Sequence, residues 1–267
     1  MELKDLNPIQ TVLDSEQGKN LTVPVTKSVG HFINDIFSLV FGNWSHELAE
    51  KSRIKHQKNI EDFKTHLYND AMKIPEVNLV APKESIIGPA LEASKYYFEE
   101  DEIRTMFEKL IVNSMDNRKI SKVHPSFTEI IKQLSPLDAQ NLTLFRNVNT
   151  LPLAEFQIKK EAGSFIIVHT NVFLSNPDCT NIAIQGISIS SLERLGLLSI
   201  DYDTYLSDKT FYEKFQTCTD YQLLENEVKH ANEVNNKNDI LKLKKGKAAI
   251  TPLGKAFIDV CLSPLPQ

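Results

Sequence analysis

Arg118 and His124, separated by five residues in Arg118-Lys-Ile-Ser-Lys-Val-His124, are the pair whose types best suit chemistry. A guanidinium holds negative charge on a phosphate, and an imidazole exchanges a proton near neutral pH. The same segment reads as a loop, and Pro125 follows the histidine directly, so His124 better suits a helix cap or a buried hydrogen-bond partner. Lys242, Lys244, Lys245 and Lys247 are a second candidate, a basic turn able to touch nucleic-acid phosphates, although lysines also protect a sheet edge. Asp101 reads as a helix N-cap, which leaves Asp116 without a carboxylate partner for acid and base work. His46, His56 and His66 recur every ten residues and read as surface histidines. Cys179, Cys218 and Cys261 are far apart and form no CxxC pair, and the chain has no HExxH, Gly-rich phosphate loop or GxSxG. No metal and no cofactor is therefore expected.

These residues must be positioned by ordinary packed elements. With 267 residues, 41% of them hydrophobic, the chain can bury one large or two modest cores. A net charge of −5 argues against a protein that coats nucleic acid without specificity. The odd, scattered cysteines fit a reducing cytoplasm, and neither a secretory leader nor an apolar run long enough for a membrane span is read.

Residues 1–25 mix Pro, Gly, Asn and charge without a period and are expected to be a loose arm. A helical domain is expected over 26–134. Its first stripe, Val29, Phe32, Ile33, Ile36, Phe37 and Val40, suits core packing or a homo-oligomer contact. Ile103, Met106, Phe107, Leu110 and Ile111 then share one helix face, and Phe127, Ile130, Ile131 and Leu134 another. Ser135-Pro136-Leu137-Asp138 is a helix start with a capping serine, proline in the first turn and a carboxylate near the positive end.

A smaller α+β, winged-helix-like domain is expected over 135–267, with an insertion at about 203–238. Alternation over Glu155 to Ile167 with a turn near Gly163 predicts a hairpin. A helix from Asn181 to Leu195 stops at Gly196, and Leu197 to Tyr202 resumes as a strand. Ile240 to Ile250, with Lys-Gly-Lys inside, predicts a second hairpin, and Thr251-Pro252 caps a final helix. The helix from Asn181 has few groups to reach bases and only Arg194 as a cation, offset by Glu193.

The string Lys122-Val-His-Pro-Ser-Phe-Thr-Glu-Ile-Ile-Lys-Gln-Leu-Ser-Pro136, with Phe107-Glu-Lys-Leu-Ile-Val-Asn-Ser-Met115 before it, resembles the core of the Abi-alpha family. Gly88-Pro-Ala-Leu-Glu-Ala93, Ser191-Leu-Glu-Arg-Leu-Gly-Leu-Leu198 and Thr251-Pro-Leu-Gly-Lys-Ala-Phe257 extend the likeness from about Pro75 to Phe257. The resemblance implies a mainly helical protein linked to abortive infection and carries over no catalytic residues. Separately, the spacing of Arg118 and His124 resembles the Arg and His motif of HEPN ribonucleases of defence systems. The reading that follows is a mainly α, cytoplasmic, non-enzymatic interaction or sensor protein of phage defence with a protein partner. A HEPN-like ribonuclease using Arg118 and His124, and a winged-helix DNA-binding regulator, stand as the alternatives.

Overall fold

The computed structural model describes residues 50–263 and, before them, Ile33. The loose-arm expectation lies outside the described residues, as does the Val29 to Val40 stripe apart from Ile33, which is helical and buried. The chain divides into two compact units, residues 1–133 with 256–267, and residues 134–255.

The first unit is helical. Its long elements are α1 (Glu50–Ala71), α2 (Glu84–Ser94) and α3 (Asp101–Ser114), followed by the short α4 (Phe127–Ile131). α3 is its centre because its apolar residues recur at helical spacing: Ile103, Met106, Phe107 and Leu110 are completely buried. Phe63 of α1 meets Phe98 edge to face at 5.4 Å, and Phe127 of α4 meets Phe257 in the same way at 5.2 Å. A π-helical turn, Ile258–Leu262, closes on α3, where Asn113 donates from Nδ2 to the Val260 carbonyl at 2.7 Å. Asp101 is not the cap of α3. Glu100 holds that position without a side-chain bond, and Asp101 instead pairs with Arg104 one turn on, at 2.8 Å.

The second unit begins with α5 (Pro136–Thr143), whose start is a complete capping box: Asp138 N–H donates to Ser135 Oγ, and Ser135 N–H to Asp138 Oδ2. It continues with β1 (Thr150–Lys159), β2 (Phe165–Val172), α6 (Ile182–Arg194), β3 (Leu198–Asp201), α7 (Glu213–Thr217), α8 (Thr219–Asn235), β4 (Ile240–Ile250) and the start of α9 (Pro252–Phe257), whose last two residues belong to the first unit. The hairpin β1–β2 turns through Gly163 at φ +90°. Asn181 caps α6 by accepting from the amides of Ala183 and Ile184, and Gly196 ends it at φ +73°.

The strands form one antiparallel sheet in the order β2-β1-β4-β3, and this overturns the winged-helix-like domain. In place of a second hairpin, Ile240 to Ile250 is a single eleven-residue strand, paired along its length with β1 from Lys159↔Ile240 to Thr150↔Ala249. Gly246 is not a turn residue. A Cβ there would stand 2.5 Å from the Tyr202 ring and 2.8 Å from the Asp201 carbonyl, so glycine answers a close approach inside a straight strand. One sheet face carries Ala154, Phe156 and Val172 against Tyr212, Phe215 and Tyr221. The segment expected as an insertion thus supplies part of the core. The mainly α expectation is corrected in the same way: a sheet organises this unit.

Candidate functional site

Arg118 and His124 both follow α3, but no hydrogen bond, ion pair or ring contact joins them. Arg118 grips Asp116: its backbone N–H and its Nε donate to Oδ1 at 2.9 Å each, and Nη2 donates to Oδ2 at 2.6 Å. Asp116 is buried, with its side chain 1% exposed, while that of Arg118 is 39% exposed. Burial pushes the Asp116 carboxyl up, but the hydrogen bonds and charge of Arg118 outweigh it and leave the pKa below the ordinary value. Lys119 and Lys122 both bind Asp259 of the closing turn. His124 lies exposed. Its Nδ1 accepts the Ser126 N–H at 3.1 Å and meets Ser126 Oγ at 2.7 Å, and its carbonyl accepts the Phe127 N–H at 3.0 Å. The imidazole therefore satisfies one amide just before α4, and the His124 carbonyl satisfies the next, although the N-cap position itself is held by Ser126.

The four lysines lie along β4, inside the sheet rather than on a protruding wing. Lys244 Nζ is 3.7 Å from buried Glu155 and 5.2 Å above the Tyr202 ring. Lys245 stands 5.0 Å from the ring of Tyr212 and 5.6 Å from that of Tyr205, and Lys247 is 3.6 Å from Asp201. Lys242, opposite Gln157, is exposed. Three of these four cations already face a carboxylate or an aromatic ring, which diminishes what they offer a phosphate. Around Lys244 the polar groups are joined. Gln157 Nε2 donates to Glu155 Oε2 at 2.7 Å, and Tyr202 donates to Asn171 Oδ1 at 2.9 Å. Burial pushes the Tyr202 hydroxyl up to about 12, so it stays protonated and donating.

Three features were not nominated from the sequence. In the helical unit, His66 of α1 meets Glu108 of α3, Nδ1 to Oε1 at 3.1 Å, and Arg104 Nε lies 3.6 Å from the same oxygen. Burial raises the Glu108 pKa, with His66 and Arg104 only partly opposing it. His66 was expected as a surface histidine, and its side chain is 51% exposed, but a buried carboxyl orients it. The signal was present in α3, where Glu108 precedes Ile111 and Val112 at the spacing of one face. The second feature is on β2, an outer strand, where Phe165, Ile166, Ile167 and Val168 are all exposed. The third is a cavity of about 420 Å³ lined by Asn176, Cys179, Thr180 and the start of α8 at Cys218 and Asp220. Burial raises the Cys218 thiol above its ordinary value, which disfavours its thiolate form.

Helical unit and antiparallel α+β unit together describe a protein in which, among the described residues, no helix is long and apolar enough to cross a membrane. The model of the abortive infection alpha family matches residues 55–261, and the chain belongs to that family, which associates it with abortive infection. Neither a curated protein nor a solved structure matches it.

Proposed function

We propose that this protein is a non-enzymatic interaction or sensor protein of phage defence, working in the cytoplasm through a protein partner. The observation that carries this reading is the run Phe165-Ile-Ile-Val168, four consecutive exposed apolar residues on an outer strand. Folding alone does not use that surface, and contiguous exposed apolar area on a protein marks contact sites. The bonds of Arg118 and His124 support the same reading, because each side chain has an architectural partner.

A phage-challenge assay tests it. His124→Ala, and Arg118→Lys so that Asp116 keeps a cation, are expected to retain protection while total RNA stays intact. Loss of protection together with loss of a ribonuclease activity in His124→Ala overturns the proposal in favour of a HEPN-like ribonuclease. The exposed ring of His124, held through Nδ1 to Ser126, is the observation that keeps that alternative worth testing.

A further inference from the structure

We infer that β2 pairs antiparallel with β2 of a second copy of this chain, joining two four-stranded sheets into a symmetric dimer. The inference rests on the binding reading above and names one partner for it. Among the described strands β2 is an edge: its inner side bonds to β1, and along Phe165 to Val168 no described strand lies on its outer side. Natural edges are usually blunted by charge, and here that protection is missing. Phe165 to Val172 contains no Asp, Glu, Lys or Arg. Phe165, Ile166, Ile167 and Val168 are 52%, 48%, 54% and 37% exposed. The other edge, β3, is four residues long and ends in Asp201.

Composition selects a second copy as the occupant. A strand that completes this edge must be uncharged and apolar on both faces, since Phe165 and Ile167 point to one side of the sheet and Ile166 to the other. β1 carries Glu155 and Lys159, β3 carries Asp201 and β4 carries its lysines, so among the described strands only β2 qualifies. Twofold symmetry sets a strand against itself in reverse, and an uncharged strand does this without opposing like charges. A dyad through Ile166 places Ile166 opposite itself and Phe165 opposite Ile167 of the other copy, so that opposed side chains share a sheet face. The register with β1 slips beyond Ile167, which confines regular pairing to this stretch. The apolar area available is a few hundred Å² per copy, short of the roughly 800 Å² per partner of a standard interface. The dimer is accordingly weak and appears with rising concentration.

Sedimentation velocity on the full chain from about 1 to about 200 μM tests this, a range that brackets micromolar association. The expected result is a shift from monomer to dimer across that range. Ile167→Lys should remove the shift with an unchanged circular dichroism spectrum, since the side chain is exposed. Leu223→Lys, an equally exposed apolar position on α8, should leave it intact. Hydrogen exchange at the amides of Phe165 to Val168 should slow at the high end. A chain that stays monomeric throughout, or a dimer indifferent to Ile167→Lys, overturns the inference. Neither result touches the non-enzymatic reading, which stands or falls on His124→Ala in the phage challenge.

Discussion

Replacing Asn141 by Ala should be the most damaging polar substitution in the α+β unit, and its cost can be worked from the contacts it breaks. Asn141 Nδ2 donates to Gln185 Oε1 at 2.7 Å and to Ser188 Oγ at 2.9 Å, and Asn141 Oδ1 accepts from Asn176 Nδ2 at 2.8 Å. Exposure is 0% for Asn141 and Gln185, 3% for Ser188 and 5% for Asn176, so water does not readily replace the lost partner. Gln185 keeps a bond from Nε2 to the Cys179 carbonyl, and Asn176 keeps one from the Asp178 N–H, so each partner is stranded on one side only. An orphaned buried polar atom costs about 1 to 3 kcal/mol, and three at the lower end of that range give about 3 to 5 kcal/mol. That is a large fraction of the roughly 5 to 15 kcal/mol that holds an ordinary domain folded. Ser135→Ala at the start of α5 supplies the scale, since loss of a capping side chain costs about 1 kcal/mol. Urea denaturation followed by circular dichroism measures both, with hydrogen exchange in α5 and α6 separating this unit from the helical one. Asn176→Ala in the Asn141→Ala background should add less than it does alone, because the shared bond is already gone. A cost below about 1 kcal/mol for Asn141→Ala, or full additivity of the pair, would refute the reasoning that these amides form one buried network.

Two further outcomes follow from charge and from space. The folded-state pKa of Glu108 is raised from 4.5, so the stability it contributes is fully present below that value and is lost as pH rises through the raised one. Glu108→Gln should therefore stabilise the helical unit at neutral pH, with the gain vanishing below pH 4.5 in a melting series; a gain that grows on acidification would contradict the sign. For Asp116, lowered from 3.8, the sense is opposite: its contribution is present above that pH and is lost as pH falls through the depressed value. Gly254→Ala pits two effects against each other. Helix propensity favours alanine by about 1 kcal/mol, but its Cβ would sit 2.2 Å from the Leu197 carbonyl oxygen. Backbone must move, so a net loss of about 1 to 3 kcal/mol is expected in chemical denaturation.

Much of the local structure was legible because it depends on neighbours in the chain. The stripe on α3, the capping serine at Ser135, the helix beginning near Asn181 and its stop at Gly196 are each written within a few residues, and each is present. The hairpin through Gly163 was legible for the same reason. The failures concern meetings between distant residues. Glu108 and His66 are 42 positions apart, so neither periodicity nor capping rules announce their bond. Lysines spaced along a polar run looked like a wing, whereas pairing with β1 places Lys244 beside Glu155 and against Tyr202.

By itself, then, the order of amino acids determined which segments become helices or strands, where several of them start and stop, and the family to which the chain belongs, because propensity, capping and hydrophobic period act over one or two turns. Tertiary structure alone decided which strands are neighbours. Gly246 is the clearest instance: the same residue that signals a turn locally serves in a straight strand to admit the Tyr202 ring, and only the fold brings that ring to it. It also decided that Arg118 is held by a buried carboxylate and that the apolar residues of β2 face outward, since pairing register and burial depend on contacts that no local pattern encodes.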